Sequence, residues 1–193
     1  MQGDEISVLL ENVKKDDRQA FDQLFRLFYP RLVKFAIQFL RERQDAEDAV
    51  AVFFIRLWQK RNRLPPLDYP ETYIYTAVKN TCLNYKRDRK SKTMLHQTDG
   101  DAKNYSPETF QQPDESKELK LLLEKAIAAL PVQRRLIFIL VKEEGLKCRE
   151  AAAILNLSVR TVESQLYKAV KTLARAISQH LGYDPQQKKQ AEA

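Results

Sequence analysis

Apolar residues recur along the first part of this chain with the period of an α-helix. Phe21, Leu24, Phe25 and Phe28 stand at i, i+3, i+4 and i+7, and Leu32, Phe35, Ala36 and Phe39 repeat that spacing. Pro30 falls between the two stripes. It has no N–H to donate, so it is expected to end one helix or open the next. A third stripe, Val50, Phe53, Phe54 and Leu57, follows the acidic residues Asp45, Glu47 and Asp48. Such residues suit a first helical turn, where the macrodipole is positive. Pro65, Pro66 and Pro70 then break the pattern, which predicts a loop over residues 61–70. Ile74, Ala77, Val78, Thr81 and Tyr85 predict a fourth helix that runs into the basic stretch 86–92. No segment alternates as a strand does.

Residues 92–115 lose the periodicity. They are polar and punctuated by Gly100, Pro107 and Pro113, which predicts a flexible linker. Leu119, Leu122, Leu123, Ala126, Ile127 and Leu130 restart a helical stripe that Pro131 stops. The apolar run 136–141 is expected to be a buried helix, because helical patterns flank it and no partner strand exists. Gly145 suits a C-cap. A short helix over 146–155, a turn of Asn156, Leu157 and Ser158, and a long helix over 159–179 predict a helix-turn-helix. Ala152 is small enough for two helices to approach closely, Asn156 tolerates the left-handed conformation, and Ser158 is a suitable N-cap. The last helix has an apolar stripe of Val162, Leu166, Ala169, Val170 and Leu173. Its opposite face carries Arg160, Thr161, Glu163, Ser164, Gln165 and Lys168, side chains able to read base edges or hold phosphates. Gln165 can pair bidentately with adenine. The expected fold is all-α: a helical domain over 1–91, an acidic linker over 92–115, a helix-turn-helix domain over 116–181 and a polar tail over 182–193.

Charge sharpens this picture. Of the net +7 over 193 residues, residues 1–91 carry +4, 92–115 carry −3 and 116–193 carry +6. Two basic blocks around an acidic segment point to two surfaces for a polyanion. Cys82 and Cys148 lie far apart and His96 and His180 complete no zinc pattern, so no metal or cofactor is expected. Asp45, Glu47 and Asp48 are not joined by the further carboxylates or histidines of a phosphoryl-transfer site, so no catalytic residue is expected either. Without a long apolar run or a signal-like start, the chain reads as soluble and cytoplasmic.

The motifs DAEDAV at 45–50, FIRLW at 54–58, VKN at 78–80, LP at 130–131, Gly145 and SVRTVE at 158–163 carry a family resemblance. In this order and spacing, from about Asp16 to Leu181, the chain resembles an alternative sigma factor of bacterial RNA polymerase. It is most similar to the extracytoplasmic-function (ECF) group of the sigma-70 family. The resemblance implies that the first domain (region 2) binds core RNA polymerase and the minus-ten promoter element. The second (region 4) would bind the polymerase beta-subunit flap and the minus-thirty-five element. Asp45, Glu47, Asp48 and Arg56 then fall on the polymerase-binding helix. Ala51 and Val52 stand where the family usually has Gln and Glu. The loop with Arg61, Asn62 and Arg63 resembles the segment that captures a flipped base. The helix with Tyr73, Tyr75, Lys79, Asn80, Asn84, Lys86 and Arg87 resembles the minus-ten reader, whose aromatics and cations suit single-stranded DNA. Ser158, Arg160, Thr161, Glu163, Ser164, Gln165 and Lys168 fall on the minus-thirty-five reader. The implied partners are core polymerase (beta and beta-prime subunits), promoter DNA and an anti-sigma factor, which can be membrane-linked. Two alternatives share parts of the pattern: a helix-turn-helix transcriptional activator, and a sigma-like regulator that does not dock on core polymerase.

Overall fold

A computed structural model describes residues 3–93 and 115–181; of the linker predicted over 92–115, residues 92, 93 and 115 belong to helices, and residues 94–114 and the predicted tail 182–193 lie outside the described residues. Every regular element among the described residues is helical. Contacts divide the chain into two units, Met1–Lys103 with Arg149–Leu157, and Asn104–Cys148 with Ser158–Ala193.

The first unit is built on α1 (Gly3–Lys14), α2 (Arg18–Leu40), α3 (Arg43–Gln59) and α4 (Pro70–Thr93). The sequence reading missed α1, although Ile6, Leu10 and Val13 have helical spacing and are buried. Asp17 caps α2 by accepting from the Gln19 and Ala20 amides at 2.8 and 3.1 Å. The expected break at Pro30 does not occur, and α2 runs through it as one helix. Phe28 and Leu32 lie four residues apart, so the two stripes are one face in register, and Pro30 points to solvent. Burial of Leu24, Phe28, Leu32, Phe35 and Ala36 along that face outweighs the missing hydrogen bond. Each large side chain contributes about 1.5–3 kcal/mol, against roughly 3 kcal/mol for an internal proline.

α2 packs against α1, α3 and α4, and α4 also meets α1 and α3. The α2–α3 seam is aromatic: the Phe21 ring lies 4.9 Å from Trp58, and Phe25 lies 4.8 Å from Phe54. A short 3₁₀ turn, Arg61–Arg63, follows α3. α4 opens on Pro70, a first-turn position where no N–H is needed.

The second unit contains α5 (Glu115–Ala128), α6 (Val132–Phe138) and α8 (Val159–His180). Leu130, Ala169 and Leu173 form its buried centre, with Leu123, Ala126, Ile127 and Phe138 packed around them. The run 136–141 is helical as expected; its second half forms a widened turn, Ile139–Glu143, and Leu136, Ile137, Ile139 and Leu140 are buried. Gly145 closes that turn at φ 74°, in the left-handed region, while the Leu146 amide reaches back to the Leu140 carbonyl at 3.0 Å. Val170, expected on the buried stripe of α8, is instead 42% exposed. At about 100° per residue it falls at the edge of the stripe that Val162, Ala169 and Leu173 centre.

The remaining helix, α7 (Cys148–Leu155), ends as the sequence predicts. Asn156 adopts φ 55°, and the Leu157 amide donates to the Ala152 carbonyl at 3.0 Å, a Schellman closure. Ser158 then caps α8, its Oγ accepting from the Thr161 amide at 3.1 Å.

Candidate nucleic-acid and polymerase interfaces

α4 divides its side chains sharply. Ile74, Tyr75, Val78 and Cys82 are buried, with the Tyr75 ring edge-on to Phe35 at 5.1 Å. Burial raises the Cys82 thiol to about 12, so it stays protonated. Tyr75 and Lys79, both expected at the DNA face, are thereby removed from it. Lys79 is 5% exposed; its Nζ donates to the Ile154 carbonyl, and desolvation lowers its pKa below the usual lysine value. The outer face keeps Asn80, Asn84, Lys86 and Arg87 exposed. Tyr73 is half-buried, and burial pushes its phenol pKa up, so it presents a neutral hydroxyl.

A cleft of about 220 Å³ separates α3 from this face. Arg56, Lys60, Tyr73, Asn80 and Asn84 line it, over a floor that includes Phe53, Leu57 and Leu64. Cations, amides and an aromatic ring around an apolar floor can hold a nucleobase and its phosphate. The sequence reading missed Lys60. It lies one residue past α3 in no motif, and only the fold brings it beside Asn80 and Asn84.

Of the three loop residues, Asn62 and Arg63 are exposed, whereas Arg61 is engaged within the unit. Its Nε contacts Asp16 at 2.5 Å, its Nη1 donates to the Trp58 carbonyl at 2.7 Å, and its guanidinium lies 4.3 Å from the Trp58 ring centroid. Asp16 sits in the turn between α1 and α2 at φ 71°. Its hydrogen bond from Arg61 holds its carboxyl below the usual carboxylate range. Arg61 therefore clamps the base of the loop.

The acidic end of α3 is equally uneven. Asp45 accepts from the Tyr85 hydroxyl at 3.1 Å and pairs with Arg89, which binds the start of α3 to the end of α4. Burial, followed by the bond to Asp45, raises the Tyr85 pKa. Glu47 pairs with Arg43 at 2.7 Å along the helix surface, and Asp48 accepts from Gln44 at 3.2 Å. Asp48 and Arg56 are exposed, and Ala51 and Val52 are half-buried between them.

On α8, Arg160, Glu163, Ser164 and Lys168 are exposed along one side. Thr161 is half-buried, its hydroxyl 2.7 Å from Ser158 Oγ at the cap. Gln165 is half-buried as well, and its Oε1 accepts from Arg134 Nε of α6 at 3.2 Å. Arg134 had no sequence signal, since α6 follows a proline and matches no reading-helix pattern.

Two family models match the chain in succession, and the second takes in α7, which the contacts group with the first unit. Residues 24–92 match the model of sigma-70 region 2, and residues 120–173 match that of sigma-70 region 4. The chain belongs to the sigma-70 family. It is an alternative sigma factor of the ECF type. The RNA polymerase sigma-H factor of Pseudomonas aeruginosa is 22% identical over 177 residues, 88% of this chain and 92% of that protein. The ECF RNA polymerase sigma-E factor of Escherichia coli K12 is 25% identical over 170 residues, 84% of this chain and 88% of that one. Two solved structures share the fold. CnrH, in complex with the cytosolic domain of CnrY, has a TM-score of 0.59 at 20% identity, over 90% of this sigma factor and 97% of that chain. The sigma factor RpoE in complex with the anti-sigma factor NepR, from Bartonella quintana, has a TM-score of 0.62 at 22% identity, over 82% and 96%. In this sigma factor the α4 cleft lies within the region 2 match and the α8 face within the region 4 match. No described helix is long and apolar enough to cross a membrane.

Proposed function

We propose that this sigma factor docks on core RNA polymerase through the exposed side of α3, with Glu47, Asp48 and Arg56 at the contact. Asp45 holds the helix in place from within. Promoter DNA is read at two places: a minus-ten strand in the cleft of Tyr73, Asn80 and Asn84, flanked by Asn62, Arg63, Lys86 and Arg87, and a minus-thirty-five duplex along Arg160, Ser164, Gln165 and Lys168. The observation that carries this reading is the outer face of α4. It gathers amides, cations and a tyrosine around an apolar cleft, although the inner face of the same helix is fully packed.

The protein acts in the cytoplasm, by binding and not by catalysis. Opening duplex costs about 1.4 kcal/mol per base-pair step, and extruding a base a few kcal/mol more. The cleft alone does not cover that cost, so strand opening belongs to the polymerase-bound state. An anti-sigma factor is the expected third partner, since the similar RpoE chain is held by one.

Competition for core polymerase against a second sigma factor tests the docking surface. Asp48→Lys, which reverses an exposed charge, is expected to weaken binding by about 1–2 kcal/mol. Replacing Ala51 with Gln and Val52 with Glu together is expected to tighten it by about the same 1–2 kcal/mol. A chain that binds promoter duplex but leaves core polymerase untouched would overturn the reading.

A further inference from the structure

We propose that Arg134 is a positioning residue for promoter readout, setting which base Gln165 prefers. The proposal rests on the reading of α8 as the minus-thirty-five helix. Arg134 lies on α6, within the same unit as α8, and its Nε donates to Gln165 Oε1 at 3.2 Å. A guanidinium has donors only, so this hydrogen bond fixes the Gln165 amide with its oxygen toward α6 and its NH₂ turned away. Both side chains are half-buried, which restrains the pair.

The consequence is chemical. A free glutamine pairs bidentately with adenine, accepting from N6–H and donating to N7, and that needs both amide atoms at the base edge. Oε1 keeps a second lone pair, but with the oxygen turned toward Arg134 the amide presents its NH₂ first, and Gln165 leads with two donors. Those match an edge that carries acceptors: N7 and O6 of guanine, or O4 of thymine. Arg134 thus steers Gln165 away from adenine without itself touching a base.

Transcription by reconstituted holoenzyme on a library randomised across the minus-thirty-five element tests this. Gln165→Ala locates the base pair that residue reads. At that base pair Arg134→Met is expected to raise adenine relative to guanine and thymine about tenfold, the discrimination that one bidentate pairing with a base edge carries. The same change made in Gln165→Ala is expected to leave the base profile where Gln165→Ala put it. Arg134→Ala is measured in parallel, and circular dichroism melting identifies a variant that does not fold. A uniform loss over all promoters would make Arg134 a phosphate ligand and overturn the proposal. A shift in preference that persists without Gln165 would overturn it too, because Arg134 would then read the base directly. If neither Gln165→Ala nor Arg160→Ala alters preference at any position, the reading of α8 itself falls and takes the proposal with it. Loss of Gln165-dependent preference with no Arg134 effect sinks the proposal alone.

Discussion

Asp45 and Asp48 stand three residues apart on α3, yet their surroundings give them different work. Asp45 carries a hydroxyl and a guanidinium from α4, while Asp48 accepts a hydrogen bond from a neighbouring glutamine on its own helix. Asp45→Ala removes two partners at once and is expected to cost about 1–2 kcal/mol, visible as a thermal midpoint lower by several degrees. Asp48→Ala is expected to leave the midpoint within a degree or two, since it breaks one exposed hydrogen bond. Equal midpoints for the two variants would show that the α3–α4 tie contributes nothing. Asp16 adds a pH dependence. Its folded-state pKa is depressed below its ordinary 3.8, so the unfolded chain binds the proton more readily. Its contribution is fully present at neutral pH and is lost as pH falls through and below that value. Melting at pH 7 and pH 3 is therefore expected to show a shallower acid dependence in Asp16→Asn than in the natural chain. An unchanged slope would mean that the Arg61 clamp does not couple to folding.

Helix α2 tests how far pattern outweighs a single residue. Pro30 faces solvent in the helix interior and leaves the Arg26 carbonyl without its i+4 amide. Pro30→Ala is expected to restore that bond and raise stability by about 1–3 kcal/mol, read as a higher denaturant midpoint at unchanged slope. A lower midpoint would mean that the ring packs where the structure shows it exposed. Much of the fold was legible because its helices bury stripes of long period, and Asn156, Ser158 and Gly145 mark ends by local backbone chemistry. Proline misled because its rule concerns one residue, whereas the register from Phe28 to Leu32 concerns the whole face. The site was legible in part for a related reason. Spacing places Tyr73 and Tyr75 on different faces of α4, but only α2, through Phe35, decides which face is covered. Pairings between distant segments, such as Asp16 with Arg61, Tyr85 with Asp45 and Arg134 with Gln165, have no periodic signal at all.

At the scale of the whole molecule, the two proposed reading faces in one chain imply a division of labour with polymerase. The α4 cleft suits an unpaired strand, and the α8 side suits a duplex groove. Neither supplies the energy to pass from one form of DNA to the other. Promoter opening is thus expected to need both this chain and core polymerase, and its rate to fall as salt rises, since both faces rely on cations meeting phosphate. Run-off transcription from a promoter selected with this sigma factor measures that directly, using core polymerase with and without the chain. A defined transcript is expected only when both are present, with loss of the transcript when Asn80 and Asn84 are both replaced by alanine although the chain still folds. A transcript of equal yield from core polymerase alone, or none from the pair on any promoter, would contradict the account.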